Sequence, residues 1–464
     1  MKFEGLTLAK AAAAITDGDM SSVELTQLLL QRIAKWNPSI NAFIAVTGER
    51  ALRDASQTDS QLKAGKYLGQ LHGIPIAVKD LFETAGLRTT GGSRILANYV
   101  PSVDATVVRK LREQGAVLIG KTNLHEWAVG ATNINPHYGS TRNPWDPSRV
   151  PGGSSGGSAA ALAARMCLGA LGTDTGGSIR IPSAACGVVG IKPTHGLVST
   201  AGVMPFSWSM DHVGPMARNV EDCAILLDVI SGYDPTDPES VQRATEQKYH
   251  NSVHRSIAGL RIAVPKNYFF DAVDGDVKRA VEEAVKTFEK SGANVSEVTF
   301  PEVEEDVKAS ALIRLAEGAT VHRKDLIERR SEIGSDVLER LDWGLQVSLT
   351  DYVHAKRVQA LRTRARAQFF EAYDLLVTPT IPIEPPIIEG LNSVQAAREL
   401  VRFTVPFNLA GLPAISIPCG FSRNRLPIGL QLVAGHWKEA FLFATAHSYE
   451  AMTDWTHKTP PGIQ

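Results

Sequence analysis

"PGGSSGGSAAALAA", residues 151–164, sets a run of only glycine and serine (152–158) directly ahead of an alanine-rich stretch that should be helical. Three readings compete for it. A flexible tether has this composition, but tethers separate independent units, and here strand-like runs lie on both sides and the helix starts at once. A phosphate cradle needs a strand, then a glycine loop closed by Gly-Lys-Ser/Thr. The stretch holds no lysine, and the "NPWDPSRVPGG" leading into it carries three prolines. "GGSSG" (152–156) formally fits the G-x-S-x-G elbow with Ser154 as nucleophile, yet that elbow follows a strand directly, which Pro147 and Pro151 disfavour.

Outward from this stretch, short apolar runs alternate with amphipathic ones. "IPIAV" (74–78), "AVLIG" (116–120), "GVVGI" (187–191), "LRIAV" (260–264), "LLVT" (375–378), "AISIP" (414–418) and "IGLQLV" (428–433) read as strands covered on both faces, since they show no polar alternation. Between them, "DATVVRKLREQG" (104–115) and "DVKRAVEEAVKTFEKSG" (276–292) read as helices. The alternation predicts an α/β protein on a mainly parallel sheet. Residues 5–60 read as an N-terminal helical region, with Val23, Leu25, Leu28, Leu29 and Ile33 near one face. The charged stretch at about 240–340 reads as a mostly helical variable region within one domain spanning 1–464.

A second serine stands in a similar setting. "LGTDTGGSIRIP" (171–182) places Ser178 behind two glycines, 24 residues beyond Ser154. Glycines beside a nucleophile let backbone N–H groups converge on the oxygen of a tetrahedral intermediate. Lysine completes the set. Lys79, Lys121 and Lys192 each follow a strand, where open α/β sheets place their chemistry, and a lysine starved of water can act as a base near neutral pH. Spacing does not choose among the three.

Composition narrows the field. A formal net charge of -1 argues against a nucleic-acid or anionic-membrane surface. No apolar run reaches the roughly 18 residues of a membrane span, since Arg165 interrupts the small-residue run after Ser158. The N-terminus has no signal-peptide pattern, and the four cysteines, scattered without a CxxC pair, fit buried thiols of a cytoplasmic protein. The twelve histidines form no HExxH, so neither a metal nor a cofactor is expected.

Taken together, "LHGIPIAVKDLFETAGLRTTGGS", "GAVLIGKTNLHEWAVG", "STRNPWDPSRVPGGSSGGSAAALAA", "LGTDTGGSIRIPSAACGVVGIKPTHGLVS", "MDHVGPMARNVEDCAILLDVI", "DLLVTPTIP", "FTVPFNLAGLPAISIPCG" and "LPIGLQLVAG" resemble the amidase signature family of serine hydrolases over nearly the whole chain. The resemblance implies a single large, mixed, mostly parallel twisted sheet with helices on both faces. It further implies a Ser–cis-Ser–Lys triad. Ser178 is the nucleophile, Ser154 the bridging serine on a cis peptide with Gly153, and Lys79 the neutral base. Ser155 helps to orient Ser154 or Lys79, and the N–H groups of Thr175, Gly176, Gly177 and Ser178 form an oxyanion hole. Asp174 and Arg180 brace the nucleophile loop.

The family branch that supplies the A subunit of glutamyl-tRNA amidotransferase typically reads "SIRQP", "YGRVSRYGL" and "SSLDQ". Here "SIRIP", "HGLVSTAGV" and "SWSMDH" stand instead, with Ile181, Thr200 and Ala201 at polar positions of that branch. A glutamine side chain needs polar anchors. The expectation is therefore a stand-alone cytoplasmic amidase for aliphatic or aryl amides, with esters and carbamates as further substrates and Trp127, Met204, Phe206 and Trp208 as pocket walls. Its partners would be a small-molecule amide and a second copy in a homodimer, with no nucleic acid and no membrane. The alternative is the amidotransferase A subunit, a glutaminase working with partner subunits.

Overall fold

Strands lacking polar alternation require cover on both sides, and the computed structural model, which describes residues 5–243, 248–253 and 258–463, provides it. Among the described residues eleven strands form one sheet: β1 Phe43–Val46, β2 Pro75–Lys79, β3 Val117–Thr122, β4 Gly169–Thr173, β5 Val189–Lys192, β6 Val213–Ala217, β7 Arg261–Pro265, β8 Asn294–Val298, β9 Leu375–Pro379, β10 Ala414–Phe421 and β11 Pro427–Val433. Their order is β1-β3-β2-β4-β6-β5-β10-β11-β9-β7-β8. Every residue of β2, β3, β4, β5, β6, β9 and β11 is buried. Successive side chains point to opposite faces, so both faces are covered.

The sheet is mixed, and its parallel part is regional. Parallel pairing links β3, β2 and β4 on one wing and β9, β7 and β8 on the other. The remaining six neighbour pairs are antiparallel, including the β10–β11 hairpin at the centre. An uninterrupted apolar strand reports burial on both faces and carries no mark of direction, which is why the sequence pattern overstates the parallel share.

Two strands beside the site, "GALGT" (β4) and "VGPMA" (β6), have little strand character in sequence because they are built of small residues. Their smallness has a use. The helix Gly156–Ala163 is buried along its entire length and touches β2, β3, β4 and β6, and small residues on both partners let the backbones close up. A Cβ on Gly157 would lie 2.3 Å from Asn123 O and 2.5 Å from Ala42 O. One on Gly172 would lie 2.8 Å from Ser155 Oγ.

The expected N-terminal helical region at 5–60 holds the helices Leu8–Asp17 and Ser22–Ile40 and most of Gly48–Lys63, with β1 between the last two. Ser21 and Glu24 form a capping box ahead of the second helix, whose Leu25, Leu29 and Ile33 are buried. The stretch 240–340 adds β7, the helix Gly275–Lys290 and β8 to the sheet edge, then turns helical at Val303–Val321, Arg323–Glu328 and Ser335–Leu345. Among the described residues no helix is long and apolar enough to cross a membrane.

The close approach at residue 157 is testable. Gly157→Ala forces the helix off the backbone of Asn123 and Ala42, and the expected loss is about 1–3 kcal/mol of stability in urea unfolding. An unchanged midpoint would mean that this contact is slack.

Candidate active site

Three chain segments meet beyond the ends of β2 and β4. Lys79 closes β2, Thr173 closes β4, and the glycine–serine run lies across both. The Lys79 Nζ donates to Ser154 Oγ at 2.7 Å and to Thr173 Oγ1 at 2.7 Å. Gly153 and Ser154 are joined by a cis peptide bond. The run is anchored at three successive positions: His125 N donates to Ser154 O at 3.2 Å, Ser155 N donates to Ser178 O at 3.2 Å, and Gly156 N donates to Asn133 Oδ1 at 3.2 Å. All seven residues of 152–158 are buried, which rules out a tether. No strand precedes Ser154, which rules out the elbow.

Ser178 follows on the loop between β4 and the helix Arg180–Cys186. Lys79 and Ser154 are 0% exposed and Ser178 is 6% exposed, so the open end of the set is Ser178. Among the described residues no hydrogen bond joins Ser154 to Ser178. Their loops are held together by backbone instead. Ser155 does not touch Lys79 or Ser154 through its hydroxyl; its Oγ accepts from Thr173 N and donates to Thr173 O, both at 3.2 Å. It therefore fixes Thr173, the second partner of Lys79.

Burial pushes Lys79 down to about 7, and the negative charges of Asp211 and Asp174 hold it there rather than lower. The other two strand-end lysines are spent elsewhere. Lys121 bonds the Phe82 carbonyl, Thr84 and Thr89 and lies 3.5 Å from Asp80. Lys192 donates to Pro193 O and Leu412 O. Among the described residues, Lys79 is the one of the three that bonds to the glycine–serine run.

The loop's charges form a closed unit. Arg180 clamps Asp174 through Nε to Oδ2 and Nη2 to Oδ1, each at 3.0 Å, and both residues are fully buried. Burial alone would raise the Asp174 carboxyl, but Arg180 brings it well below the usual carboxylate range. Asp174 Oδ1 also accepts from Gly177 N at 2.7 Å. Of the four N–H groups expected to hold an oxyanion, Gly177's is therefore committed. Among the described residues those of Thr175, Gly176 and Ser178 donate to no other group. Asp211 braces the facing loop, accepting from Thr175 Oγ1 at 2.5 Å and from Phe206 N at 2.8 Å. Among the described residues no cluster of three His, Cys, Asp or Glu side chains could hold a metal.

Two cavities flank the Ser178 loop. One of about 270 Å³ is lined by Met204, Phe206 and Trp208 together with Asp211, Asp237 and Glu239. The other, of about 410 Å³, opens on Ser178 and is lined by Phe206, Trp343 and four cations, Lys308, Arg314, Arg340 and Arg398. Trp127 lines neither. It is 2% exposed and stacks on His322 at 3.9 Å. Sequence reading missed Thr173, Asp211 and the four cations. Thr173 stands next to Asp174 and was within reach of the motif, whereas the cations come from distant helices with no local signature.

Residues 24–443 match the family model described as Amidase. The A subunit of the glutamyl-tRNA(Gln) amidotransferase of Chromohalobacter salexigens is 43% identical, with 98% of each chain covered. The crystal structure of the corresponding A subunit from Thermotoga maritima superposes with a TM-score of 0.84 at 35% identity, covering 100% of this chain and 99% of that one. A structure described as a vestigial protein complex that reveals the origins of an s-triazine catabolic enzyme superposes at 0.92 with 34% identity, covering 96% and 98%.

These matches overturn two expectations, that of a stand-alone amidase for aliphatic or aryl amides and that of a small-molecule partner set with a homodimer and no nucleic acid. Several relatives of near-equal length are named as subunits of an amidotransferase of glutamyl-tRNA(Gln). The physical error is also visible. Thr200 and Ala201 line the cavity away from Ser178, and Ile181 is buried against Gly152 and Gly177, so none of the three stands in the wall of the cavity over Ser178, where the four cations do.

Asp174→Asn leaves Arg180 as a buried charge without its carboxylate. The expected cost is about 3–5 kcal/mol in denaturant unfolding; a loss under about 1 kcal/mol would show that Asn408 and Gln431 suffice to hold the guanidinium.

Proposed function

Since the chain belongs to the Amidase family and is an amidohydrolase acting on carboxamide C–N bonds, we propose that it is the A subunit of a glutamyl-tRNA(Gln) amidotransferase. In this role it hydrolyses glutamine and releases ammonia for partner subunits that use it on glutamyl-tRNA. The observation that carries this reading is the evenness of the likeness, with 43% identity over 98% of both chains.

In the mechanism we propose, neutral Lys79 takes the Ser154 proton across their 2.7 Å contact. Ser154 in turn takes the proton of Ser178, after rotation of a serine side chain brings the two hydroxyls together. The Ser178 oxygen attacks the carboxamide carbon and forms an acyl-enzyme. The N–H groups of Thr175, Gly176 and Ser178 hold the negative oxygen, each contributing a few kcal/mol. Gly177 remains with Asp174 and keeps the loop in shape. Ser154 then passes a proton to the nitrogen, which leaves as ammonia only once protonated. Water enters by the same relay and releases the acid.

The test is ammonia release from glutamine by the chain co-expressed with its partner subunits. Ser178→Ala and Lys79→Ala are each expected to lower kcat at least about 10³-fold. The base works uncharged, so kcat/KM stands at its plateau above pH 7 and falls by roughly tenfold per unit below it, with the inflection near the Lys79 value of about 7. Failure to release ammonia from glutamine, or a flat profile from pH 6 to 8, would contradict the proposal.

A further inference from the structure

The cavity over Ser178 has an imbalance that the catalytic relay does not use. Its wall contains four cationic side chains and no aspartate or glutamate. Three of the cations are accounted for. Arg340 donates to Asp336 Oδ2 at 3.0 Å and to Ser393 O at 2.9 Å. The Arg398 guanidinium lies 4.6 Å over the Trp343 ring. Lys308 is exposed. Arg314 differs. It projects from the helix Val303–Val321, its Nε donates to Ser310 Oγ at 3.2 Å, and among the described residues no carboxylate lies within 4 Å of it.

Its position is specific. A Cβ on Gly176 would stand 3.3 Å from Arg314 Nη1 and 3.5 Å from its Cζ, so the guanidinium lies against the nucleophile loop two residues before Ser178. Burial and the like charge of Arg340 push it down to about 10, which leaves it charged at neutral pH. A half-buried cation with one hydroxyl for a partner is poorly compensated, and a planar guanidinium matches a carboxylate in two parallel hydrogen bonds.

We infer that Arg314 is a specificity-determining residue that receives the carboxylate of a substrate whose carboxamide lies over Ser178. The substrate class is the ω-monoamide of a dicarboxylic acid, which includes glutamine. The inference rests on the reading of Ser178 as nucleophile and deepens the glutaminase proposal. It assigns the anchor to the cavity wall, where the cations stand, and away from the loop of Thr200 and Ala201.

The experiment compares Arg314→Met and Arg314→Lys with the unmodified chain, each co-expressed with its partner subunits. Substrates are glutamine, glutaramate (which lacks the amino group) and pentanamide (which lacks the carboxylate as well). The kcat/KM ratio of glutaramate or glutamine over pentanamide is expected to fall about 10- to 100-fold in Arg314→Met, mainly through KM, and to recover in part in Arg314→Lys. A ratio that stays the same, including the case where both kinds of amide slow equally, overturns the inference and points to a purely structural or oxyanion role. Should Arg314→Met fail to fold, the unmodified chain decides. Glutarate should inhibit pentanamide hydrolysis at concentrations at least about tenfold below pentanoate, and equal inhibition overturns the inference. Arg314-dependent hydrolysis of glutaramate without any of glutamine sustains the anchor while removing the amidotransferase reading. Glutamine hydrolysis indifferent to Arg314 does the reverse.

Discussion

Holding a lysine amine in the interior with two hydroxyls and no carboxylate in contact makes its charged form costly, and the architecture around Lys79 serves that condition. The side chain leaves the end of a strand whose every residue is buried, and its hydrogen-bond partners are Ser154 and Thr173. Asp174 and Asp211 act on it only at a distance, which keeps the amine near the middle of the working pH range instead of far below it. Moving either carboxylate into contact would restore the charge.

Keeping that condition requires a stiff surround. Ser155 ties Thr173 to the glycine–serine run through two backbone contacts, and its own N–H reaches the Ser178 carbonyl. On the far side, Arg180 joins Asp174 to Asn408, Gln431 and the Thr404 carbonyl, while the Thr404 hydroxyl donates to Gly176 O at 2.6 Å. The loop that carries Ser178 is thus pinned from two different regions of the chain. Flexible composition has been used to build a rigid object, because glycine permits the close approaches and serine supplies the short hydrogen-bonding arms.

What the sequence disclosed followed from how local each signal is. Each of the seven apolar runs overlaps a strand, and the Lys79 amine is in hydrogen-bond contact with the Ser154 hydroxyl. β1, β4, β6 and β8 escaped, β4 and β6 because strands made of glycine, alanine and proline look like turns until the Ala-rich helix is seen packed on them. Strand direction was invisible for the reason that a fully buried strand reads the same either way. The commitment of the Gly177 N–H to Asp174 is a matter of a single hydrogen bond, which no pattern of residue types encodes. The cavity wall over Ser178 was the largest loss. Polar anchors were sought in the motif loops at 181 and 200–201, while the cations over Ser178 arrive from helices between residues 303 and 400. Long-range assembly of a cavity leaves no local trace.

The proposed chemistry depends on the charge of one side chain, which can be read directly. In protein carrying Ser178→Ala and ¹³C-labelled lysine, the Lys79 Cε resonance, assigned by its absence in a Lys79→Arg companion, can be followed through a pH titration. A midpoint near 7, several units below that of the exposed lysines, is the result this structure predicts. A Lys79 signal that remains in its charged position up to about pH 10, as an ordinary lysine does, would contradict it.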